Sequence, residues 1–296
     1  MRYSPAHMRR LFSLAAFAFL AGAAHGQIQV DLKFKRVQFV AYEPVVAHVQ
    51  ITNLAGRDIE LRDENGQQWF GFEVTADEGR FLPPLQQAPE PPLKIEAGQT
   101  VTRKINLTPR FPVNELGPYH VKANVFFADL NKFFYSQGKV FQVVDARAIW
   151  QRTIGVPEGT PEAGQVRTYS LLSNRFPDHT KLYVRVEDKS TGAVYSTYPL
   201  GRVLAVDDPQ TELDHANRLH ILHCAAPRTW AYSQVGPNGE LLSHSTFLET
   251  KSRPRLRRNA DGRVVVKGGM LDAPVQATQN QPAKLSARPP SIPSDE

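Results

Sequence analysis

The chain has one cysteine, Cys224, in 296 residues. No disulfide can therefore form within it, and stability has to come from packing. Cys224 also lies far from the N-terminus, which leaves no lipobox thiol to acylate. Beyond the first 26 residues no apolar run approaches the about 20 residues that span a bilayer. Helical periodicity is nearly absent. Also missing are a Gly-x-Ser-x-Gly elbow, a phosphate-cradling glycine loop and a carboxylate pair away from turns. Serine hydrolysis, nucleotide use and glycoside hydrolysis lose their usual signatures, and no cofactor is implied. The net charge of +6 falls to +3 once Arg2, Arg9 and Arg10 are set aside, too little to point to nucleic acid.

Those three arginines open a leader. A basic start, an apolar run over 11–24 and the small residues Ala24 and Gly26 read as a signal peptide over 1–26, cut before Gln27. The mature chain is then exported, periplasmic or secreted, with no transmembrane helix. Arg9-Arg10 also fits a twin-arginine signal, although an ordinary basic leader accounts for the same residues and is the preferred reading.

After Gln27 the pattern is short strands and turns. The clearest strand is 116–127, where Tyr119, Val121, Ala123, Val125 and Phe127 point one way and His120, Lys122 and Asn124 the other. Val45, Ala47, Val49 and Ile51 alternate in the same manner. Phe70, Phe72 and Val74 share a face, and so do Val101, Ile105 and Leu107, with Arg103 breaking the apolar pattern. Five prolines over 82–92 predict a long extended loop at a sheet edge. Short strands with turn signals roughly every 8 to 15 residues predict an all-β fold: a Greek-key sandwich over 27–146, a linker over 147–164, and a second antiparallel β-rich domain over 165–268. Residues 208–215, opened by Asp208-Pro209, predict a short helix. Residues 269–296 offer little to bury and predict a disordered tail.

Gly-Pro-Tyr-His-Val at 117–121 resembles the start of strand F of immunoglobulin-like domains, where a tyrosine stands two residues before the second sheet-bridging cysteine. Val121 occupies that cysteine position here, with Val49 as its expected partner. Residues 39–53, with Tyr-Glu-Pro at 42–44 and Ile-Thr-Asn at 51–53, are similar to the opening of macroglobulin-type and bacterial proteinase-inhibitor-like sandwiches. The resemblance implies an immunoglobulin-like fold over 27–145 and admits a protease inhibitor.

Candidate chemistry is sparse. His220, His223 and Cys224, near His215 and His244, form the one weak metal-binding candidate. On a strand, His220 and Cys224 share a face about 13 Å apart while His223 points away, so a core cysteine with surface histidines is the preferred reading. The 251–258 stretch carries five cations that can meet anionic lipid, lipopolysaccharide or nucleic acid, and Pro254 among arginines reads first as a solvated linker. Leu130, Phe133, Phe134 and Tyr135 crowd the segment 128–138 after the clearest strand. They are either an exposed aromatic partner site or the cover of a long hairpin.

The resulting expectation is an exported, non-catalytic binding or scaffolding protein whose partner is an unknown protein or envelope component. The alternatives are an extracellular protease inhibitor acting through 82–92 or 128–138, and a metal-dependent or hydrolytic enzyme in the second domain.

Overall fold

The computed structural model describes residues 27–86, 89–159 and 162–272. The leader expected over 1–26 and the tail from 273 onward lie outside them. The fold is all-β and multi-sheet. Its first strands are β1 (Ile28–Phe34), β2 (Gln38–Val40), β3 (Val46–Asn53), β4 (Ile59–Leu61) and β5 (Phe70–Thr75). There follow β6 (Leu93–Ile95), β7 (Thr100–Asn106), β8 (Gly117–Phe127), β9 (Lys132–Tyr135) and β10 (Lys139–Val144). They build a sheet β1-β3-β7, a β4-β6 pair, and a sheet β2-β10-β8-β5 in which β9 also pairs with β8. Of these pairings only β2 with β10 is parallel.

Alternation positions the core. Val45, Ala47, Val49 and Ile51 are buried, as are all five inward residues of β8, and both faces join one cluster with Trp69, Phe70, Leu107 and Phe141. Tyr119 stacks on Phe141 at 5.2 Å, a pairing that adds about 1 kcal/mol beyond its buried area. Arg103 does not leave the inward phase of β7. Its guanidinium lies 5.8 Å from the Trp69 ring centre and pairs with Glu90. Glu90 also receives Arg110 at 2.8 Å, and its backbone carbonyl accepts the Trp69 indole N–H at 3.1 Å. The proline-rich loop is therefore tied to the sandwich rim through Glu90.

The later strands are β11 (Arg147–Gly155), β12 (Val166–Arg175), β13 (Thr180–Asp188) and β14 (Val194–Val203), which pair in that order. A second meander joins β15 (Gln210–Leu213), β16 (Leu219–Ala226), β17 (Thr229–Val235) and β18 (Leu241–Leu248). Next come a hairpin of β19 (Arg255–Arg258) and β20 (Val264–Lys267), and then β21 (Met270–Leu271), which pairs with β18. Tyr169, Leu171, Val184, Val186, Leu219 and Ile221 share one core between the two meanders. Leu222, Cys224 and Trp230, on the other face of the second meander, pack with Leu256 and Val264 of the hairpin.

Several expectations change. Residues 147–155 are not linker but β11, in register with β12; most of this edge strand is exposed, so its sequence lacks the period of a half-buried strand. The expected helix at 208–215 is replaced by strand β15. Gln210 to Leu213 pair with β16, Leu213 packs on the second core, and Pro209 stands just before the strand, where its missing N–H costs no ladder bond. Residues 255–258 are a strand rather than solvated linker, because Leu256 is buried beneath the hairpin. Met270 and Leu271, expected in the tail, are paired.

The two groups of sheets meet where Val40 and Ala146 touch Leu172 and Tyr183. Arg185 donates to the Ala41 carbonyl at 2.8 Å and stacks 5.2 Å from the Tyr42 ring centre. Buried Glu43 pairs with Arg36 and accepts the Val40 N–H at 3.0 Å. Its neighbour Tyr42 has φ 66°, a left-handed conformation unusual for a bulky residue.

Candidate functional site

The segment 128–138 folds largely as a hairpin. Ala128–Leu130 is a single 3₁₀ turn closed by Asn131 in the left-handed region, which asparagine tolerates. β9 then pairs back on β8, with Phe133 opposite Phe126 and Tyr135 opposite Asn124. Period two divides the four candidate residues. Phe134 turns inward and packs against the first core, whereas Phe133 lies on the outer face, 5.0 Å from Phe126 and 6.1 Å from Tyr135. Tyr135 is 50% exposed and Leu130 43%. The aromatics thus fill both expected roles, core cover and exposed surface.

Phe133 reaches a cleft of about 330 Å³ beside β5, the outer strand of its sheet. Gln67 and Gln68 line it from the turn before β5, Arg110 and Phe111 from the loop after β7, and Asn124 from β8. Phe72 meets Phe111 edge to face at 6.4 Å. Gly71 keeps the wall flat, since a Cβ there would come within 2.9 Å of the Asn124 amide oxygen. Arg110 is held by Glu90. Carboxamides donate and accept hydrogen bonds while the phenyl faces bury apolar groups. Among the described lining residues none is Asp, Glu, His, Ser or Cys, so the cleft can hold a ligand but contributes no side chain for proton transfer near neutral pH.

A second cleft, about 620 Å³, lies at one end of the later strands, where Arg218, Gln234, Asn238 and Glu240 stand beside Val156 and Leu242.

Two of the histidines do not behave as surface residues, whereas His215 is exposed. His220 and His223 are both buried. As expected for a strand, His220 and Cys224 lie on the hairpin side of β16, while His223 shares the side of Ile221, in the core between the meanders. Among the described residues no group of three or more His, Cys, Asp or Glu is placed to hold a metal ion. Burial pushes the Cys224 thiol up and depresses the His223 imidazole to about 4.

Two constellations escaped the sequence reading because strand register creates them. His220 Nδ1 lies 2.8 Å from the Tyr232 hydroxyl, and its Nε2 lies 3.3 Å from Asp214 Oδ2. Ser233 Oγ lies 3.0 Å from His244 Nδ1. Burial lowers His220 against the pull of Asp214, and burial raises Tyr232 to about 12. A phenol so raised stays protonated near neutral pH. None of these five residues lines either cleft.

Of the two segments assigned to protease inhibition, 128–138 is largely paired in the β8–β9 hairpin. Among the described residues of 82–92, Leu82 is buried and the Glu90 carbonyl accepts the Trp69 indole N–H, while 83–86 are exposed. No family model, curated protein or solved structure matches the chain.

Proposed function

We propose that this is an exported, non-catalytic binding or scaffolding protein that holds a protein partner at the β5-edge cleft of an immunoglobulin-like first unit. The observation that carries the reading is the cleft itself: aromatic faces and carboxamides at an outer strand, without a general acid or base among its described lining. Aromatic residues supply much of the energy of many protein interfaces, and an outer strand accepts an extended segment by backbone pairing.

The immunoglobulin-like assignment draws support from topology and from one corner. The order β2-β10-β8-β5 opposite β1-β3-β7 corresponds to the two sheets of such a sandwich. The Tyr119 hydroxyl donates to the Glu115 carbonyl at 2.8 Å, the bond expected of a tyrosine at the start of strand F. Val49 and Val121, the expected partners, are both buried in the same core. Export rests on residues 1–26.

The test is site-specific photocrosslinking in cells that produce the protein. A benzoylphenylalanine at Phe133 or at Gln68 should yield one common adduct, absent from controls at Leu54 and Leu242 and lost when Gly71→Val narrows the cleft. Adducts equally abundant from the control positions would contradict the reading.

A further inference from the structure

The β19–β20 hairpin separates its cations by face. Arg258, on the covered side with Leu256, pairs with Glu212 at 3.3 Å and donates to the Leu213 carbonyl. Before the hairpin, Arg253 is bound by Asp207 and Glu249. On the open side stand Arg255, Arg257 and Lys267, all exposed. None of the three has an ion pair or side-chain hydrogen bond among the described residues.

Arg255 and Lys267 are direct cross-strand partners, an arrangement in which like charges destabilise a strand pair. Lys251 adds a fourth exposed cation, next to Ser252, whose carbonyl accepts the Gly269 N–H at 3.0 Å. From Lys267 the chain turns through Gly268 and Gly269 into β21, where Met270 is 56% and Leu271 51% exposed. Of the carboxylates around the hairpin, Glu212, Asp207 and Glu249 are committed to Arg258 and Arg253, and Asp261 to Arg263 at 3.3 Å; Asp272 follows β21 directly.

We infer that this open face is a docking surface for an anionic phospholipid bilayer. Unopposed arginines and lysines gain from headgroup phosphates. Met270 and Leu271, which follow Lys267 closely in the chain and are each about half exposed, separate this segment from one made for a soluble polyanion, because exposed apolar side chains near cations fit the boundary between headgroups and acyl chains. As consecutive strand residues they point to opposite sides, so one of the two can share the side of the cations. The electrostatic share must weaken with salt, since the screening length is about 10 Å at 0.1 M and about 3 Å at 1 M.

The test uses the chain from Gln27 onward, which keeps every described strand and omits the 11–24 run that would bind lipid by itself. Sedimentation with phosphatidylcholine vesicles, with and without phosphatidylglycerol, should show salt-sensitive binding only with the anionic lipid. Arg255→Gln/Arg257→Gln/Lys267→Gln should weaken it about a hundred-fold, and Met270→Ser/Leu271→Ser by several-fold. Unchanged circular dichroism verifies that the variants fold. Absence of binding to phosphatidylglycerol vesicles, or a triple variant that binds like the parent, would overturn the inference. So would binding to heparin or duplex DNA without binding to vesicles.

Discussion

In the strands up to Val144 the buried polar groups have partners. Asn53, fully buried, donates to the carbonyls of Arg57, Ile95 and Glu96 and accepts from Ala55, and Glu90 and Glu43 each hold arginine at a margin of the core. From Arg147 onward the interior differs. Among the described residues, every buried side-chain nitrogen or oxygen without a hydrogen-bond partner lies there: on Arg167, Asn174, Ser196, Tyr198, His223 and Asn238. Each unpartnered group costs about 1–3 kcal/mol. Substitution and acid should therefore act first on the interior of the later strands.

The largest expected effect tests that contrast at Arg167. It has no exposed surface, pairs with Asp188 and Glu162 at 2.7 Å each, and lies 4.2 Å from the Tyr195 ring centre. Arg167→Ala leaves the Asp188 carboxylate, held down at about 2 chiefly by the Ser190 hydroxyl, without its cation. Urea unfolding should show a loss of about 3 kcal/mol or more.

Acid should act next. His223 is depressed to about 4 by burial, against about 6.5 unfolded, so between these values the unfolded chain binds the extra proton. Stability from this group is complete above about pH 6.5 and falls by roughly 3 kcal/mol as the pH drops to 4. Unfolding of His223→Leu across that range should lack this part of the pH dependence.

Glu90→Gln, which releases Arg103 and Arg110 from a nearly buried carboxylate, should cost the first unit about 2 kcal/mol. The finest test compares two hydroxyls. Tyr119→Phe gives up a bond to a carbonyl and should lose about 1 kcal/mol, whereas Tyr198→Phe removes a buried hydroxyl with no protein partner and should be neutral or stabilising.

What could be read from the chain beforehand follows the same physics. β3 and β8 were legible because one face is buried and the other wet, so every inward residue of β8 was assigned. β11 was not, being exposed along most of its length, nor was β15, whose Asp-Pro opening imitates a helix start. β19 looked like linker because its single buried residue, Leu256, sits among arginines. Of the cleft's lining, Phe133 alone is among the candidate site residues of the aromatic segment. Gln67, Phe72, Arg110 and Asn124 come from separate segments, and only strand pairing brings them together. The Asp214–His220–Tyr232 chain was invisible for the same reason.

The proposed difference between the units is tested most directly by their tryptophans. Trp69 belongs to the first core and Trp230 to the cluster beneath the hairpin. Proteins retaining one or the other, with the remaining tryptophans changed to phenylalanine, would be unfolded in urea at pH 7 and pH 4.5 and followed by fluorescence. The account predicts that the Trp230 midpoint falls markedly at the lower pH while the Trp69 midpoint moves much less, and that His223→Leu reduces the difference. Equal shifts of both midpoints, unaffected by His223→Leu, would contradict it.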